Sequence, residues 1–378
     1  MLIQKKMCSL VVLLVWAGVC HASLSKTSDR LPYQTFKTAA KQTVHVLIVD
    51  PKRFEIKLAH AQDTALGRST LSDLAKKHRA TAAINGGFFK IGAKIDGLPA
   101  GILKIQGQWY GLAYRDRAAL GWSTHSPITL MDRVQTKTRV YLNHQLSPVQ
   151  LLNQPPLKTK AILYTDAYPG NVDVTADTYG LSIQDQRLIS IQSAGPMQNK
   201  KNTYRYLLPK NKVPKHPVEV GHPATVGIEV MPHFLKENHL AWQGVENILG
   251  GAPLLITRGR VIKDYSGEKV LSGFIKERYA RTAVGIRKNG DWVLVVVEQS
   301  ALSNSAGMTI PELASFMKAQ DCEYALNLDG GSSSTLYMNH KILNHPDEDE
   351  AEDEDSAAWT SFRPIGDAIL IIPKKSSL

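Results

Sequence analysis

Cysteine is scarce in this 378-residue chain: three are present, and Cys8 and Cys20 both fall in an N-terminal stretch that reads as a removable export signal. Only Cys322 would remain, so no intramolecular disulfide is possible and a small disulfide-stapled extracellular module is excluded. Several catalytic signatures are also missing. There is no G-x-S-x-G elbow, no H-E-x-x-H, no C-x-x-C, no phosphate loop of the GxxxxGK[ST] type and no dinucleotide fingerprint after a first strand. The twelve histidines show no metal-ligand spacing, and lone ones such as His45 and His60 read as strand residues. Beyond the N-terminal stretch no run is long and apolar enough to cross a bilayer as a helix.

That stretch, "MLIQKKMCSLVVLLVWAGVCHAS", carries Lys5 and Lys6, an apolar run from Leu10 to Val19 and a small residue at Ala22. The pattern predicts a signal peptide over 1–22 and a protein of the periplasm or the medium. A lipid anchor at Cys20 is the rival reading, but Val19 is bulky for the position before a lipidated cysteine.

Charge is unevenly distributed. The formal balance is +11, although "PDEDEAEDED" over 346–355 holds eight acids, so the rest of the body is more basic than the total suggests. A basic exported body favours anionic partners, which means phosphorylated or acidic glycans or lipid headgroups, unless the charge only keeps the surface solvated. No nucleic-acid partner is expected. The acidic run predicts a surface loop; a calcium site would need a glycine-spaced loop, which is not there.

Strand patterns dominate. "TVHVLIVDPKRFEIKLAHA" predicts a hairpin around a Pro-containing turn, and "RTAVGIRKNGDWVLVVVEQ" predicts another around Asn289-Gly290. "WVLVVVE" is nearly continuous in apolar residues, as in a strand covered on both faces. Two helices stand out, about 71–78 opened by Thr70 with Asp73 three residues on, and about 310–320 opened by Thr309 with Glu312 three on. Each leads into a strand, an Asn and a Gly-Gly pair, which suggests two turns converging on one cleft. The region 124–244 is rich in proline and polar residues, and reads either as a variable insertion or as part of the same sheets.

The chemistry concentrates in those turns. In "NLDGGSSS" strand alternation puts Asn327 and Asp329 on one face, with Asp329 at the strand end where a ligand can reach it. Gly330 and Gly331 permit close backbone approach or an anion nest, and Ser333 adds a hydroxyl; an ordinary Asp-Gly hairpin is the alternative. In "INGGFF" the Asn85 amide, with Gly86 and Gly87, could bind a sugar hydroxyl or phosphate oxygen or simply make a turn, while Phe88 and Phe89 read as core. Counting back from a two-residue Asn289-Gly290 turn places Arg281 opposite Glu298, as a structural ion pair or an anion clamp beside a carboxylate.

Together, "INGGFF", "GLPAGILKIQG", "GGAPLLITRGRVI", "RTAVGIRKNGDWVLVVVE", "SAGMTIPELASFMKAQDCEYALNLDGGSSSTLY" and "SFRPIGDAILI", spanning about 80–372, resemble the signature blocks of the phosphodiester glycosidase family. The resemblance implies an α+β fold over 23–378, mainly antiparallel or mixed sheet with a few helices. It also implies hydrolysis of the bond between an anomeric carbon and a phosphodiester oxygen. One departure is Glu298-Gln299, where many members carry Asp-Gly. A phosphomonoester leaves readily, so a carboxylate and a fixed cation suffice. On this reading Asp329 is the catalytic carboxylate, Glu298 the second, and Arg281 the phosphate clamp. Asn85, Gly86, Gly87, Asn327, Gly330, Gly331, Ser333 and Arg363 bind substrate, and neither metal nor cofactor is required. A metal-dependent phosphodiesterase, a glycan-binding protein without turnover and an endo-acting polysaccharide hydrolase are the alternatives.

Overall fold

Runs of β-branched and other apolar residues build most of the chain into sheets. The structure is a computed structural model and describes residues 31–124, 126–346 and 362–374. The signal segment and all but Pro346 of the acidic run lie outside the described residues. The architecture is α+β with mainly antiparallel sheets and few helices.

The central sheet has seven strands in the order Tyr33–Thr38, Gln42–Val49, Trp292–Val297, Arg281–Arg287, Cys322–Asn327, Leu254–Thr257 and Arg260–Val261. Trp292–Val297 is buried along its whole length, as its unbroken apolar run requires. One face of the sheet packs Leu47, Val284, Leu294 and Leu326 against Ile56, Ile84, Leu120 and Ile369 from two further sheets. Its other face, carrying Val46, Ala283 and Val295, is covered by helix Ile310–Ala319 through Leu313 and Met317. Each such side chain contributes about 1.5–3 kcal/mol on burial.

Both helices form where their caps predict. The Thr309 hydroxyl accepts the Glu312 N–H at 3.2 Å, and the Glu312 carboxylate accepts the Thr309 N–H at 2.9 Å. Helix Leu71–Lys77 starts in a similar way, with Thr70 accepting the Asp73 N–H at 3.1 Å.

The hairpin expected around the Pro-containing turn does not form, and Gln42–Val49 makes one with Tyr33–Thr38 instead. Gln42–Val49 pairs with Trp292–Val297 in the central sheet, whereas Phe54–His60 pairs with Asp367–Pro373 in a five-stranded sheet. Between them Arg53 and Phe54 both donate their N–H to the Asp50 carbonyl. That helical turn carries the chain from one sheet to the other instead of folding it back.

In the middle region, Thr129–Leu142 pairs with Ala118–Trp122 and with Ala224–Pro232, so it belongs to the sheet that also holds Asn247–Gly250. Another five-stranded sheet packs Leu163, Leu181 and Tyr206 over Val134, Val140 and Trp242. Among the described residues no helix is long and apolar enough to cross a membrane.

Candidate active site

Three glycine-bearing turns meet at one end of these sheets. Strands Ala82–Asn85, Cys322–Asn327 and Asn247–Gly250 finish there, and Arg281–Arg287 and Asp367–Pro373 begin there. Backbone bonds tie the ends together. Asp329 N–H donates to the Gly86 carbonyl at 3.1 Å, Gly86 N–H to the Asp367 carbonyl at 2.9 Å, and Ala252 N–H to the Asn327 carbonyl at 2.9 Å.

Glycine is needed here for closeness. A Cβ on Gly86 would lie 2.0 Å from Asp367 Oδ1, one on Gly87 2.7 Å from the Gly250 carbonyl oxygen, and one on Gly330 2.8 Å from the Ala280 carbonyl oxygen. Their amides make no free anion nest: Gly87 N–H donates to Asp367 Oδ1 at 2.7 Å and Gly331 N–H to the Ala280 carbonyl at 2.9 Å. After Asp329 the chain turns through a short 3-10 segment, Gly331–Ser333, and does not close an Asp-Gly hairpin.

The asparagines organise the turns. Asn85, 1% exposed, donates its amide to the Asp329 carbonyl at 2.9 Å and accepts from the Thr282 hydroxyl and the Thr335 N–H. Asn327, fully buried, donates to the carbonyls of Ala252 and Leu328. Both side chains are therefore spent largely on backbone, and they fix the position of Asp329, which is half-buried.

Arg281 and Glu298 do not meet as expected. The turn is a three-residue loop, Lys288 to Gly290. Arg287 N–H donates to the Asp291 carbonyl, Gly290 N–H donates back to Arg287, and Gly290 alone takes the left-handed φ of 91°. The extra residue shifts the register by one, so Arg281 lies opposite Val297, and Glu298 falls on the other face. Arg281 is completely buried and donates to the carbonyls of Met308, Phe274 and Glu277, with its guanidinium 4.5 Å from the Phe274 ring centroid. Burial without a carboxylate partner lowers its pKa to about 10. Glu298 accepts from His45 Nε2 and from the His345 N–H, each at 2.8 Å. Burial pushes its carboxyl up, but hydrogen bonds from His45, Ser303 and the His345 N–H outweigh it and hold the group down to about 2.

Three buried polar atoms at this end have no hydrogen-bond partner among the described residues: Arg281 Nη1, Asn327 Oδ1 and Ser333 Oγ. Each belongs to a residue singled out from the sequence, and buried orphans of this kind are rare enough to require a reason. Arg363 joins the same loop, its N–H donating to the Ser332 carbonyl at 3.2 Å.

Asp367 is the site residue that sequence reading missed. It is 2% exposed, and burial, together with the charge of Asp329, raises its carboxyl to about 7 against the opposing Gly87 N–H. Its signal was slight: one acid opening the apolar strand "DAILIIP" behind a glycine. Asp367 also lines a small pocket with Gly87, Phe88, Gly250 and Arg117. Among the described residues no three His, Cys, Asp or Glu side chains gather as metal ligands.

A family model for phosphodiester glycosidases matches residues 172–372, more than half of the chain. The chain belongs to the phosphodiester glycosidase family. The N-acetylglucosamine-1-phosphodiester alpha-N-acetylglucosaminidases of mouse and cattle are 30% and 36% identical to it, over 100 and 98 residues. Each match covers 26% of this chain and 18% of the relative, so the aligned part spans less than a fifth of those enzymes. Among solved structures, a hypothetical protein from Synechocystis superposes with TM-score 0.72 at 23% identity, covering 91% of this chain and 62% of that one. A protein from Burkholderia pseudomallei K96243 superposes with TM-score 0.68 at 20% identity, covering 89% and 75%. These likenesses establish that the fold is shared across the phosphodiester glycosidase domain described here.

Proposed function

We propose that this protein is an exported hydrolase that cleaves the sugar–phosphate bond of a sugar-1-phosphodiester carried on a glycan or glycoconjugate. The observation that carries the reading is the joining of two acidic residues, mainly through their backbones, to one glycine pair. Asp329 is held by Gly86 and Asn85, and Asp367 is held by Gly86 and Gly87.

Asp329 supplies the negative charge at the anomeric carbon, as nucleophile or as base for water, through an oxocarbenium-like transition state. Asp367 keeps its proton to near neutrality, so Asp329 does not face a second full negative charge. Arg281 holds a fixed positive charge under the same turn. Its terminal nitrogen Nη1, whose two N–H groups have no partner among the described residues, suits an oxygen of the departing phosphomonoester. Glu298 takes a positioning role, with His45 and His345, in place of the second catalytic carboxylate. Export rests on residues 1–22, with a mature start near Ser23 and no lipid on Cys20.

The test is a panel of sugar-1-phosphodiesters, N-acetylglucosamine-1-phosphate methyl diester among them, with products weighed by mass spectrometry. Release of free sugar and a phosphomonoester is expected. Cleavage of the other ester bond, giving a sugar 1-phosphate, would overturn the reading, as would no cleavage across the panel.

A further inference from the structure

Arg117 stands in the same sequence setting as Arg281. Arg117-Ala-Ala-Leu-Gly121 and Arg281-Thr-Ala-Val-Gly285 both place an arginine at the mouth of a buried strand. In both, the glycine is forced by packing: a Cβ would fall 2.7 Å from the Trp242 ring at Gly121 and 2.4 Å from Cys322 Sγ at Gly285. The two arginines then differ. Arg281 is fully buried with its guanidinium over the Phe274 ring, whereas Arg117 is half-buried and lines the pocket that holds Asp367 and Gly87.

That pocket opens into a larger groove of about 660 Å³, and the two share Pro99, Ala100, Gly101, Ala113, Tyr114 and Arg117. The volume suits a sugar phosphate or a short glycan. Lys90 and Gln154 also line it, the Lys90 ammonium donating to Gln154 Oε1 at 3.0 Å, and no carboxylate lines the groove among the described residues. Tyr114 is 46% exposed, with the guanidinium carbons of Arg115 and Arg117 5.1 Å and 5.0 Å from its ring centroid. Asp116, between the two arginines, turns away to Arg133 and His233. Among the described residues the Arg117 side chain makes one hydrogen bond, from Nε to the Glu268 carbonyl at 3.4 Å, and none from its two terminal nitrogens.

We propose that this groove is the subsite for the phosphate and the uncleaved remainder of the substrate, with Arg117 on phosphate oxygens and the Tyr114 ring under a sugar. The assignment rests on the glycosidase reading for what is cleaved, but not for what is bound. A guanidinium with two adjacent terminal nitrogens matches a phosphate in a bidentate manner, and a part-exposed ring that the Arg115 and Arg117 guanidinium groups lie over still offers apolar carbon to a pyranose beside the bound phosphate.

The experiment is calorimetric titration of the full chain at fixed ionic strength with glucose 6-phosphate, inorganic phosphate and glucose. Glucose 6-phosphate should bind, inorganic phosphate should compete with it, and glucose alone should be far weaker. Arg117→Met should weaken both phosphates at least tenfold, with Arg117→Lys recovering part of the loss. Tyr114→Ala, at an exposed position, should weaken glucose 6-phosphate severalfold and leave inorganic phosphate unchanged. Unaltered affinities in Arg117→Met, or no saturable phosphate binding by the parent, would overturn the proposal. The two readings separate cleanly. Phosphate binding through Arg117 without cleavage of any sugar-1-phosphodiester would retain the groove and remove the glycosidase. Cleavage with kcat/KM unchanged by Arg117→Met would do the reverse.

Discussion

Asp329 and Asp367 are joined through a single residue: Asp329 N–H donates to the Gly86 carbonyl at 3.1 Å, and Gly86 N–H donates to the Asp367 carbonyl at 2.9 Å. The two acids are 38 positions apart in sequence, at the ends of strands from different sheets, and neither can shift without moving the glycine between them. This relationship makes the site testable one residue at a time.

Asp329→Asn should remove turnover and spare the fold. The side chain is half-buried at a strand end, and Asn keeps its size and an acceptor oxygen, so a cost of about 1 kcal/mol or less is expected. The amide cannot bear the charge that faces the anomeric carbon. A fall in kcat of roughly a hundredfold or more follows, with substrate binding largely kept. Thermal melting beside steady-state kinetics checks both halves.

Gly86→Ala should damage both stability and activity. The new methyl would lie 2.0 Å from Asp367 Oδ1, and that short buried side chain has nowhere to move. A loss of about 1–3 kcal/mol is expected from denaturant titration, with turnover reduced at least tenfold at temperatures where the variant is folded. Parental activity in the alanine variant would show that the Gly86–Asp367 closeness is irrelevant to catalysis.

Asp367→Asn should change how stability depends on pH. The folded group titrates at about 7, above the ordinary carboxyl value, so its contribution is complete below about pH 4 and is lost as pH rises through 7. Asn never ionises and can still accept the Gly87 N–H. The melting temperature of the variant relative to the parent should therefore climb from pH 4 to pH 8. A flat difference across that range would mean that Asp367 is ionised throughout.

Glu298→Gln should show the opposite sign. Here the folded value is held down to about 2, so the stabilisation is present above the unfolded value of about 4.3 and is lost as pH falls towards 2. At pH 7 the variant should be destabilised by about 2–3 kcal/mol through the lost charge between His45 and the His345 N–H. The gap should narrow at pH 3, and melting curves at the two pH values give the comparison.

Local chemistry alone determined a good deal. Thr70 and Thr309 with their acidic partners specified two helix starts, because a capping box is decided within four residues. The run from Trp292 to Val297 declared a strand buried on both faces, because nothing polar interrupts it. "INGG" and "NLDGG" pointed to one end of the fold, because glycine pairs there serve close approach between chains. Pairing was another matter. The strands Gln42–Val49 and Phe54–His60 were legible, but Trp292–Val297 and Asp367–Pro373, with which they pair, lie hundreds of residues away, and the turn at Asp50 sends them to different sheets. The contact expected between Arg281 and Glu298 failed on one residue of loop length, since a three-residue loop in place of a two-residue turn flips the face of everything beyond it. Asp367 and Arg117 were invisible as site residues because each opens an ordinary apolar strand. Only packing reveals that one is sealed beside Asp329 and the other stands at the pocket mouth, since burial and proximity across sheets are properties of the assembled chain.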